Sequence, residues 1–521
     1  MKIHSTRIGV GVALALTVTL LAGCSASKND STQESSNTLR LAFSADPAPL
    51  DPDTYYEAEG EAIMSSVYQG LLRYKPDSVE LVGVLATKWE KSVDGLTYTF
   101  TLRDGVTFSD GTPFDSSAAK ASFQRRIDMQ GGPSYMLANV VSMETPDAKT
   151  FVVHLNTPVA PFLDFLASQF GPLMTSPTDI KKHEVDGDHA SAWLAQNSSG
   201  TGPYVIAEAV KATRYTLKAN PNFYGSQPHF STITFAVMPD FSTQLINLQG
   251  GQLDMILHGL STRQYSKLKS DKRFQVLNPP SLFKSTIYVN PNSAVFGPMK
   301  NRRALRDALN INELTKTIFA DRANPSTDFY PPGMLPAGAV PDLQSSGTSD
   351  LAAALAGVKN KPVVIGYDWD GAMQELAGLI QLKLQDAGIT ATLKGMTPSQ
   401  VFAQPTQPGQ RPDLFLGNEN PDAAHVDTWS RIYQYKDGAV NFNGCSVPQA
   451  DKYLDQASVT ADPQKSLALY VKAGVAYRDS LCWLNIADVG DTLVARAGLT
   501  GFEHALPWIY FTDFSKVTEK P

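Results

Sequence analysis

The chain has 521 residues, of which 42% are hydrophobic and 18% charged, and its formal net charge is −7 at pH 7. This mildly acidic balance gives no long-range attraction for nucleic acid or anionic lipid, so we expect neither as a partner. The chain is too long to fold around a single hydrophobic core, so we predict two or three lobes.

The first 24 residues show the pattern of a lipoprotein signal peptide. A basic start precedes an apolar run over residues 8–20 that is short for a transmembrane span, and a Leu-Ala-Gly sequence at 21–23 precedes Cys24. We therefore predict cleavage before Cys24 and lipidation of its sulfur, which leaves an extracytoplasmic protein held at the cell membrane by lipid alone. Residues 24–37, polar and without periodicity, are predicted to form a flexible tether. A secreted protein without the lipid is the alternative.

Cys445 and Cys482 remain once Cys24 carries lipid. An even pair in an oxidising compartment predicts a disulfide between them. A nucleophilic role for Cys445 is the alternative, but no neighbouring residue supplies a catalytic partner.

Strand and helix patterns alternate along the chain. Residues 76–200 contain short strand patterns separated by glycine turns, which predict a mixed α+β subdomain. Residues 233–256 show a strand, a helix, a Gly-Gly stop and a second strand, which predict a βαβ unit. Residues 362–393 predict another, with apolar positions at helical spacing from Met373 and with Gly388 ending the helix. Two such units indicate two α/β lobes.

Seven motifs follow one another in a fixed order. They are VYQGLLRY at 67–74, LATKWE at 85–90, DGLTYTFTLRDGVTFSDGTPF at 94–114, GTGPY at 200–204, NPNFYG at 220–225, GGQLD at 250–254 and NRRALRDALN at 301–310. Their order and spacing resemble the extracytoplasmic solute-binding proteins of the peptide and nickel class, which deliver ligands to ABC importers. The resemblance covers residues 38–515. The arginines of the last motif are interpreted as a solvated helix face rather than an anion site.

The resemblance implies a two-lobed α/β fold of the periplasmic-binding-protein type, with an extra mixed α+β subdomain and a ligand cleft between the lobes that closes by hinge motion. We expect a monomer without cofactor or metal, whose partners are a small ligand and a permease and ATPase complex. The predicted segments are a signal peptide at 1–23, a tether at 24–37, a first lobe at 38–71, 198–286 and 489–521, an extra subdomain at 72–197, and a second lobe at 287–488.

An acidic segment after a second-lobe strand is the predicted recognition site. In the family, an Asp just after such a strand anchors the ammonium group of a peptide, and the strand here spans 413–417. The position falls on Asn418 or, with a slip of one residue, on Glu419, so recognition of a free peptide amino terminus stays open. Asn420 and Asp422 complete the predicted polar wall, which suits a cationic ligand group. A polar loop that caps the next helix is the alternative.

His425 lies where some family members hold a nickel complex with a His. Metal capture needs several converging ligands, and one His does not supply them. We therefore interpret His425 as a polar residue of the cleft wall or of the following helix.

Aromatic side chains are the other expected lining of the cleft, because they supply apolar area and stacking to a tolerant site. Tyr55 and Tyr56 follow a turn at the cleft edge, and Tyr135 matches a position where relatives project an aromatic ring. Trp369 follows a strand at its carboxyl end, and Trp429 follows the acidic segment. Each of them is as compatible with the core as with the cleft.

The function that these patterns indicate is capture of a small solute, an oligopeptide or a peptide-like molecule, for an ABC importer. Another cargo, such as an oligosaccharide, a nickel chelate or haem, is the alternative on the same fold. A surface adhesin or a chaperone with the same fold is a further alternative. GxSxG, HExxH and GxxxxGK[ST] motifs are absent from the sequence, so nothing in it favours an enzyme.

Overall fold

A computed structural model describes residues 37–520, apart from positions 48, 344, 346, 369, 370 and 511. The predicted signal peptide, Cys24 and residues 24–36 of the tether lie outside the described residues, and so does Trp369. The chain from Asn37 onward forms one compact unit. Among the described residues, no helix is both long and apolar enough to cross a membrane.

The strands of the described chain are numbered in chain order. They are β1 (Thr38–Phe43), β2 (Leu72–Tyr74), β3 (Leu81–Gly83), β4 (Ala86–Lys91), β5 (Thr97–Leu102), β6 (Val140–Asp147), β7 (Thr150–Leu155), β8 (Tyr204–Val210), β9 (Arg214–Ala219), β10 (Thr232–Val237), β11 (Met255–Ile256), β12 (Phe274–Leu277), β13 (Phe283–Val289), β14 (Ala323–Pro325), β15 (Val363–Tyr367), β16 (Ala391–Gly395), β17 (Leu414–Glu419), β18 (Trp483–Val489), β19 (Leu493–Arg496), β20 (Leu499–Thr500) and β21 (Thr518–Glu519).

The α-helices are numbered in the same way. They are α1 (Glu61–Val67), α2 (Ser116–Met129), α3 (Phe162–Ala167), α4 (Pro177–His183), α5 (Ser191–Leu194), α6 (Phe241–Gln249), α7 (Thr262–Lys269), α8 (Met299–Ala308), α9 (Ile311–Phe319), α10 (Leu351–Ala354), α11 (Gly371–Asp386), α12 (Pro398–Ala403), α13 (Val426–Tyr433), α14 (Pro448–Ser458) and α15 (Pro463–Asp479).

Four sheets organise the fold. Strands in the orders β1-β10-β9-β8 and β11-β19-β12 come from the segments predicted as the first lobe, and the antiparallel order β4-β5-β7-β6 comes from the predicted subdomain. A six-stranded mixed sheet, β14-β18-β13-β17-β15-β16, comes from the predicted second lobe, although β13 begins at Phe283. The architecture is therefore α/β with a mixed subdomain, while the lobe boundaries themselves stay a prediction.

The βαβ unit predicted in residues 362–393 is confirmed. Strands β15 and β16 pair in parallel, and α11 connects them. The apolar positions of the helix, from Met373 to Leu384, are buried against the sheet. Gly388 has φ +78°, a conformation that costs glycine little, and it follows directly after the last turn.

The βαβ unit predicted in residues 233–256 is wrong. Strand β10 pairs in parallel with β1 and antiparallel with β9, whereas β11 pairs antiparallel with β19 in another sheet. Strand β1 buries Leu39, Leu41 and Phe43 and occupies the edge of β10 that a βαβ unit would need. Because both edges of β10 are taken, the chain that leaves α6 joins a different sheet.

The predicted disulfide is confirmed. Cys445 and Cys482 are joined across a separation of 37 residues, with their Cα atoms 6.3 Å apart. Both side chains are buried, and the bond fixes the segment before α14 to the start of β18.

A buried ionic network fixes the turn at residues 51–53 against helix α2. Arg125 donates to both carboxylate oxygens of Asp51 at 2.8 Å, and Arg126 donates through Nε to Asp53 at 2.7 Å. Arg126 also donates to three backbone carbonyl oxygens. All four side chains are buried, so the network holds the chain after the turn against the subdomain.

We expect Arg126→Met to lower the free energy of unfolding by about 3–5 kcal/mol, because the change leaves the two buried carboxylates of Asp51 and Asp53 to share Arg125 and removes the guanidinium donor of three buried carbonyls. Arg214→Met is the matched control, since its pair with Glu208 is solvent-exposed and should contribute at most about 1 kcal/mol. Urea unfolding followed by circular dichroism measures both. Equal losses for the two variants would contradict this role for the network.

Candidate functional site

Strand β17 places the candidate site at the carboxyl end of the central strands. It runs antiparallel to β13 and parallel to β15. Its residues Leu414, Phe415 and Leu416 are buried in the core, and the polar residues from Asn418 onward follow at its end. In α/β sheets this end is where ligand sites form.

Glu419 is buried, and it lies in register with Lys284 of β13. The Lys284 ammonium donates to Asp488 Oδ1 at 2.5 Å and to Ser326 Oγ at 2.8 Å. On β13, Lys284 therefore lies between an acid of β17 and an acid of β18. Within this trio there is one more carboxyl group than ammonium group.

The electrostatics of Glu419 are unusual for an acid. Burial raises the pKa of its carboxyl to about 8, although the nearby Tyr288 hydroxyl and the Lys284 ammonium act in the opposite direction. Its Oε1 atom is buried and accepts no hydrogen bond of good geometry within the described chain, while the Tyr288 and Thr286 hydroxyls favour the ionised carboxylate. A ligand ammonium or guanidinium that donates to Oε1 would stabilise the ionised form.

Asn418 and Glu419 do not share a role, because successive residues of a strand point to opposite faces of the sheet. The face of Glu419 is the one that carries Lys284. The Asn418 backbone amide donates to Asp368 Oδ2 at 3.3 Å. Of the two positions that the sequence left open, the geometry places Glu419 beside the buried charges.

The loop that follows β17 contacts the predicted first lobe and the subdomain. Asp422 accepts hydrogen bonds from the hydroxyls of Tyr56 and Tyr135, the latter at 2.6 Å. Its backbone carbonyl accepts from the Ser168 hydroxyl at 2.5 Å. Burial raises the pKa of Asp422, and the two tyrosines act in the opposite direction. Three predicted site residues thus meet in one cluster that joins parts of the chain far apart in sequence.

The two tyrosines are held by edge-to-face packing. The Tyr56 ring lies 4.9 Å from Phe170, and the Tyr135 ring lies 5.6 Å from Phe165. Both tyrosines keep about two-fifths of their surface exposed, at 41% and 38%, so their free faces are available to a ligand.

Helix α13 begins at the end of the acidic segment. His425 is its amino-terminal cap, with Nδ1 accepting from the Asp427 amide at 3.1 Å. Trp429 is buried and packs on Tyr433 with ring centroids 4.9 Å apart, and its indole nitrogen has no hydrogen-bond partner in the part of the chain that the structure describes. The Tyr433 hydroxyl donates to the carbonyl of Asn420 at 2.8 Å. Across the described residues, no group of three or more His, Cys, Asp or Glu could hold a metal.

Two other residues bear on the sequence predictions. Tyr55 lies in the core, where its hydroxyl accepts from the Gly60 amide at 2.5 Å, and Trp369 lies outside the described residues. Lys284 was not predicted. The signal for it was a lysine within the otherwise apolar or small run FKSTIYV of β13.

Comparison with known proteins identifies relatives of the whole folded chain. The family model for bacterial extracellular solute-binding proteins, family 5, matches residues 80–441. The probable D,D-dipeptide-binding periplasmic protein DdpA of Escherichia coli K12 is 26% identical over 476 residues, which cover 89% of this chain and 91% of that protein. The glutathione-binding protein GsiB of the same strain is 26% identical over 515 residues, 94% of this chain and 95% of that protein.

Solved structures share the fold. The periplasmic binding protein DppA of Helicobacter pylori, in complex with the peptide STSA, has a TM-score of 0.77 at 20% identity and covers 93% of this chain and 98% of its own. NikA of Brucella suis, in complex with Fe(III)-EDTA, has a TM-score of 0.81 at 21% identity and covers 93% and 100%. At this level of identity the likeness establishes the two-lobed fold.

We expect the double variant Tyr56→Phe with Tyr135→Phe to favour the open form of the ligand-free protein. It leaves the Asp422 carboxylate without two donors, and each hydrogen bond to a charged group contributes about 1.5–3 kcal/mol. Small-angle scattering should show a larger radius of gyration. Tyr435→Phe is the control, since its hydroxyl donates to Asp455 at 3.1 Å on an exposed surface within one lobe. If the radius of gyration of the double variant is unchanged, the hydrogen bonds from Tyr56 and Tyr135 to Asp422 do not hold the protein in its closed form.

Proposed function

Because the chain belongs to family 5 of the bacterial extracellular solute-binding proteins, we propose that it captures a peptide or peptide-like solute with a cationic group and delivers it to the permease and ATPase of an ABC importer. The observation that carries the proposal is the buried Glu419, whose Oε1 has no partner of good geometry among the described residues and whose pKa is raised by burial to about 8. The names of two relatives, a probable D,D-dipeptide-binding protein and a glutathione-binding protein, support a peptide-like cargo.

The charge of the cargo follows from the trio around Lys284. The Lys284 ammonium donates to Asp488 at 2.5 Å, and Glu419 Oε1 accepts no hydrogen bond of good geometry from the described residues. Burying a carboxylate without a donor is costly, whereas a ligand ammonium gives it a charge-assisted hydrogen bond. A free amino terminus or a basic side chain meets this requirement, and an anionic group in the same place is repelled.

The cleft closes over the cargo through the loop that follows β17. Glu419 ends the strand, and Asp422, three residues later, binds the tyrosines of the opposite side. A ligand that bridges the two sides prefers the closed form, and this preference drives closure. The faces of Tyr56 and Tyr135 cover the apolar parts of the ligand. His425 already accepts a backbone hydrogen bond with Nδ1, so a metal chelate is not favoured.

The proposed location is the outer face of the cell membrane, with Cys24 lipidated and the folded chain starting near Thr38. We expect Cys24→Ala to abolish lipidation. The variant should then either leave the membrane fraction for the soluble fraction or keep its signal peptide uncleaved. Labelling with radioactive palmitate and cell fractionation measure this, and Cys445→Ala with Cys482→Ala, which spares Cys24, is the control. Label retained by the Cys24 variant would contradict the anchor.

We expect affinity for a peptide with a free amino terminus to be greatest near pH 8. Below that value Glu419 of the free protein takes up a proton, because its pKa is raised to about 8, and apparent affinity falls about tenfold per pH unit. Above it, the peptide amino group loses its charge, since its pKa is about 7.7–8.0. Isothermal titration calorimetry at a series of pH values on both sides of pH 8, with a peptide that the protein retains on purification, measures how affinity depends on pH.

Glu419→Gln should weaken binding and remove the loss of affinity at low pH. Native mass spectrometry with a mixture of short peptides and their N-acetylated forms gives a second readout, in which the wild type retains the free forms. Glu90→Gln, an exposed acid of β4, is the control and should change neither result. Retention of acetylated and free peptides in equal amounts by wild type would contradict a cationic head group.

A further inference from the structure

Helix α8 does not carry the solvated basic face that its sequence indicated. Arg302 is only 8% exposed, and its Nη1 donates to Cys482 Sγ at 3.5 Å. Arg306 forms an ion pair with Asp307. The interpretation as a solvated face is therefore wrong for Arg302, and a denser group of exposed basic side chains lies on helix α7 and the turn after it.

This basic segment, residues 263–273, has the opposite sign to the chain as a whole. It contains one acid, Asp271, and five basic residues, and the net charge of the chain is −7. All five basic residues are solvent-exposed. They are Arg263, Lys267, Lys269, Lys272 and Arg273.

The packing of α7 decides which way its charges point. Tyr265 and Leu268 are buried, and Leu268 belongs to an apolar cluster that includes Val276 of β12. Arg263 and Lys267 are four residues apart, so they share one face of the helix, and this face is the one away from the buried pair. Both side chains therefore point into solvent, while the apolar side of the helix is used up within the protein.

Carboxylates neutralise two of the five basic side chains. Lys269 forms an ion pair with Asp321, and Arg273 forms one with Asp271 at 2.7 Å. The other three make no ion pair with any described residue, and they are Arg263, Lys267 and Lys272. The segment thus keeps three exposed positive charges close together in the chain.

The basic segment lies at the end of the fold that the predicted tether joins. Arg40, near the start of β1, donates to Asp254 Oδ1 at 2.9 Å, and Arg496 of β19 donates to the same oxygen at 2.8 Å. The next residue, Ala497, donates its amide to the carbonyl of Arg273 at 2.7 Å. A short series of direct contacts therefore connects the first strand to the basic segment.

The predicted tether would hold this end of the fold near the membrane. A flexible chain as long as residues 24–37 has an average span of about 20 Å. An anionic bilayer attracts basic residues within a Debye length of its surface, about 10 Å at 0.1 M salt. The acidic net charge opposes attraction from a distance, but a tethered chain already lies within reach of this short-range contact.

We propose that the basic segment docks on the anionic phospholipid headgroups of the membrane that holds the chain, through Arg263, Lys267 and Lys272. Guanidinium and ammonium groups donate charge-assisted hydrogen bonds to phosphate oxygens. Because the apolar side of α7 packs inside the protein, the contact is electrostatic, without insertion, and sensitive to salt. It orients the folded chain with the start of β1 toward the lipid. The choice of a membrane over a soluble acidic partner rests on the proposed anchor at Cys24.

The first test is co-sedimentation of the mature chain from residue 25 onward, which contains the whole compact unit but no lipid. We expect it to bind vesicles of phosphatidylglycerol and phosphatidylcholine at low salt, to leave them at high salt, and not to bind phosphatidylcholine alone. Wild type that ignores the anionic vesicles overturns the proposal. Binding to soluble polyglutamate without binding to these vesicles means an acidic protein partner and also overturns it.

The second test removes the three unpaired charges. The triple variant Arg263→Gln, Lys267→Gln and Lys272→Gln should lower the vesicle partition coefficient about a hundredfold, since each basic residue at an anionic surface contributes about a fivefold factor. The three side chains are exposed and make no ion pair, so circular dichroism should be unchanged.

The control variant combines Lys120→Gln, Lys181→Gln and Lys182→Gln, which makes the same change in net charge at exposed positions of α2 and α4. It should keep most of the binding, and equal losses in the two triple variants overturn the proposal. Hydrogen exchange of wild type on anionic vesicles needs no variant: protection should be strongest at residues 262–273, and protection only elsewhere overturns the proposal. Loss of the palmitate label would remove the proposed anchor and leave these vesicle results unchanged, so the two failures are distinguishable.

Discussion

The candidate site depends on one buried ammonium group, that of Lys284, which lies between the buried Glu419 and the partly buried Asp488. Lys284 is on β13, and the two strands that flank β13 bring Glu419 and Asp488 into register with it. Asp488 receives the direct contact from Lys284, whereas Glu419 Oε1 accepts no hydrogen bond of good geometry within the described chain and burial raises the pKa of Glu419. An apolar residue at 284 would remove the only cation of the trio, and a second cation would remove the need for a charged ligand. The pairing of β13 with β17 and β18 therefore underlies the charge that we propose for the ligand.

The same short segment carries the residue that we propose for recognition and the residue that we propose for closure. Glu419 ends β17, and Asp422 follows within one turn of chain and contacts Tyr56 and Tyr135. Tyr56 comes directly after the turn that Arg125 and Arg126 fix against α2. A ligand that moves the end of β17 would therefore also move Asp422. The hydrogen-bond partner Tyr56 of Asp422 follows a turn that the buried arginines hold in place. This arrangement gives a physical route from binding to lobe closure.

The sequence revealed what depends on local pattern, and it missed what depends on distant pairing. The period of the apolar residues from Met373 predicted α11, and counting cysteines predicted the disulfide between Cys445 and Cys482. The strand after α6 was assigned to the wrong sheet, since nothing local shows that β1 occupies the edge of β10. The partnership of Lys284 with Glu419 joins residues 135 positions apart, so no spacing rule could find it.

The most direct measurement is a crystal structure of the protein with the cargo that it retains from its own host. We expect a cationic nitrogen of the ligand about 2.7–2.9 Å from Glu419 Oε1, as charge-assisted hydrogen bonds require, with Lys284 still bound to Asp488. A ligand that places a neutral or anionic group there, or that leaves Glu419 without contact, would contradict it.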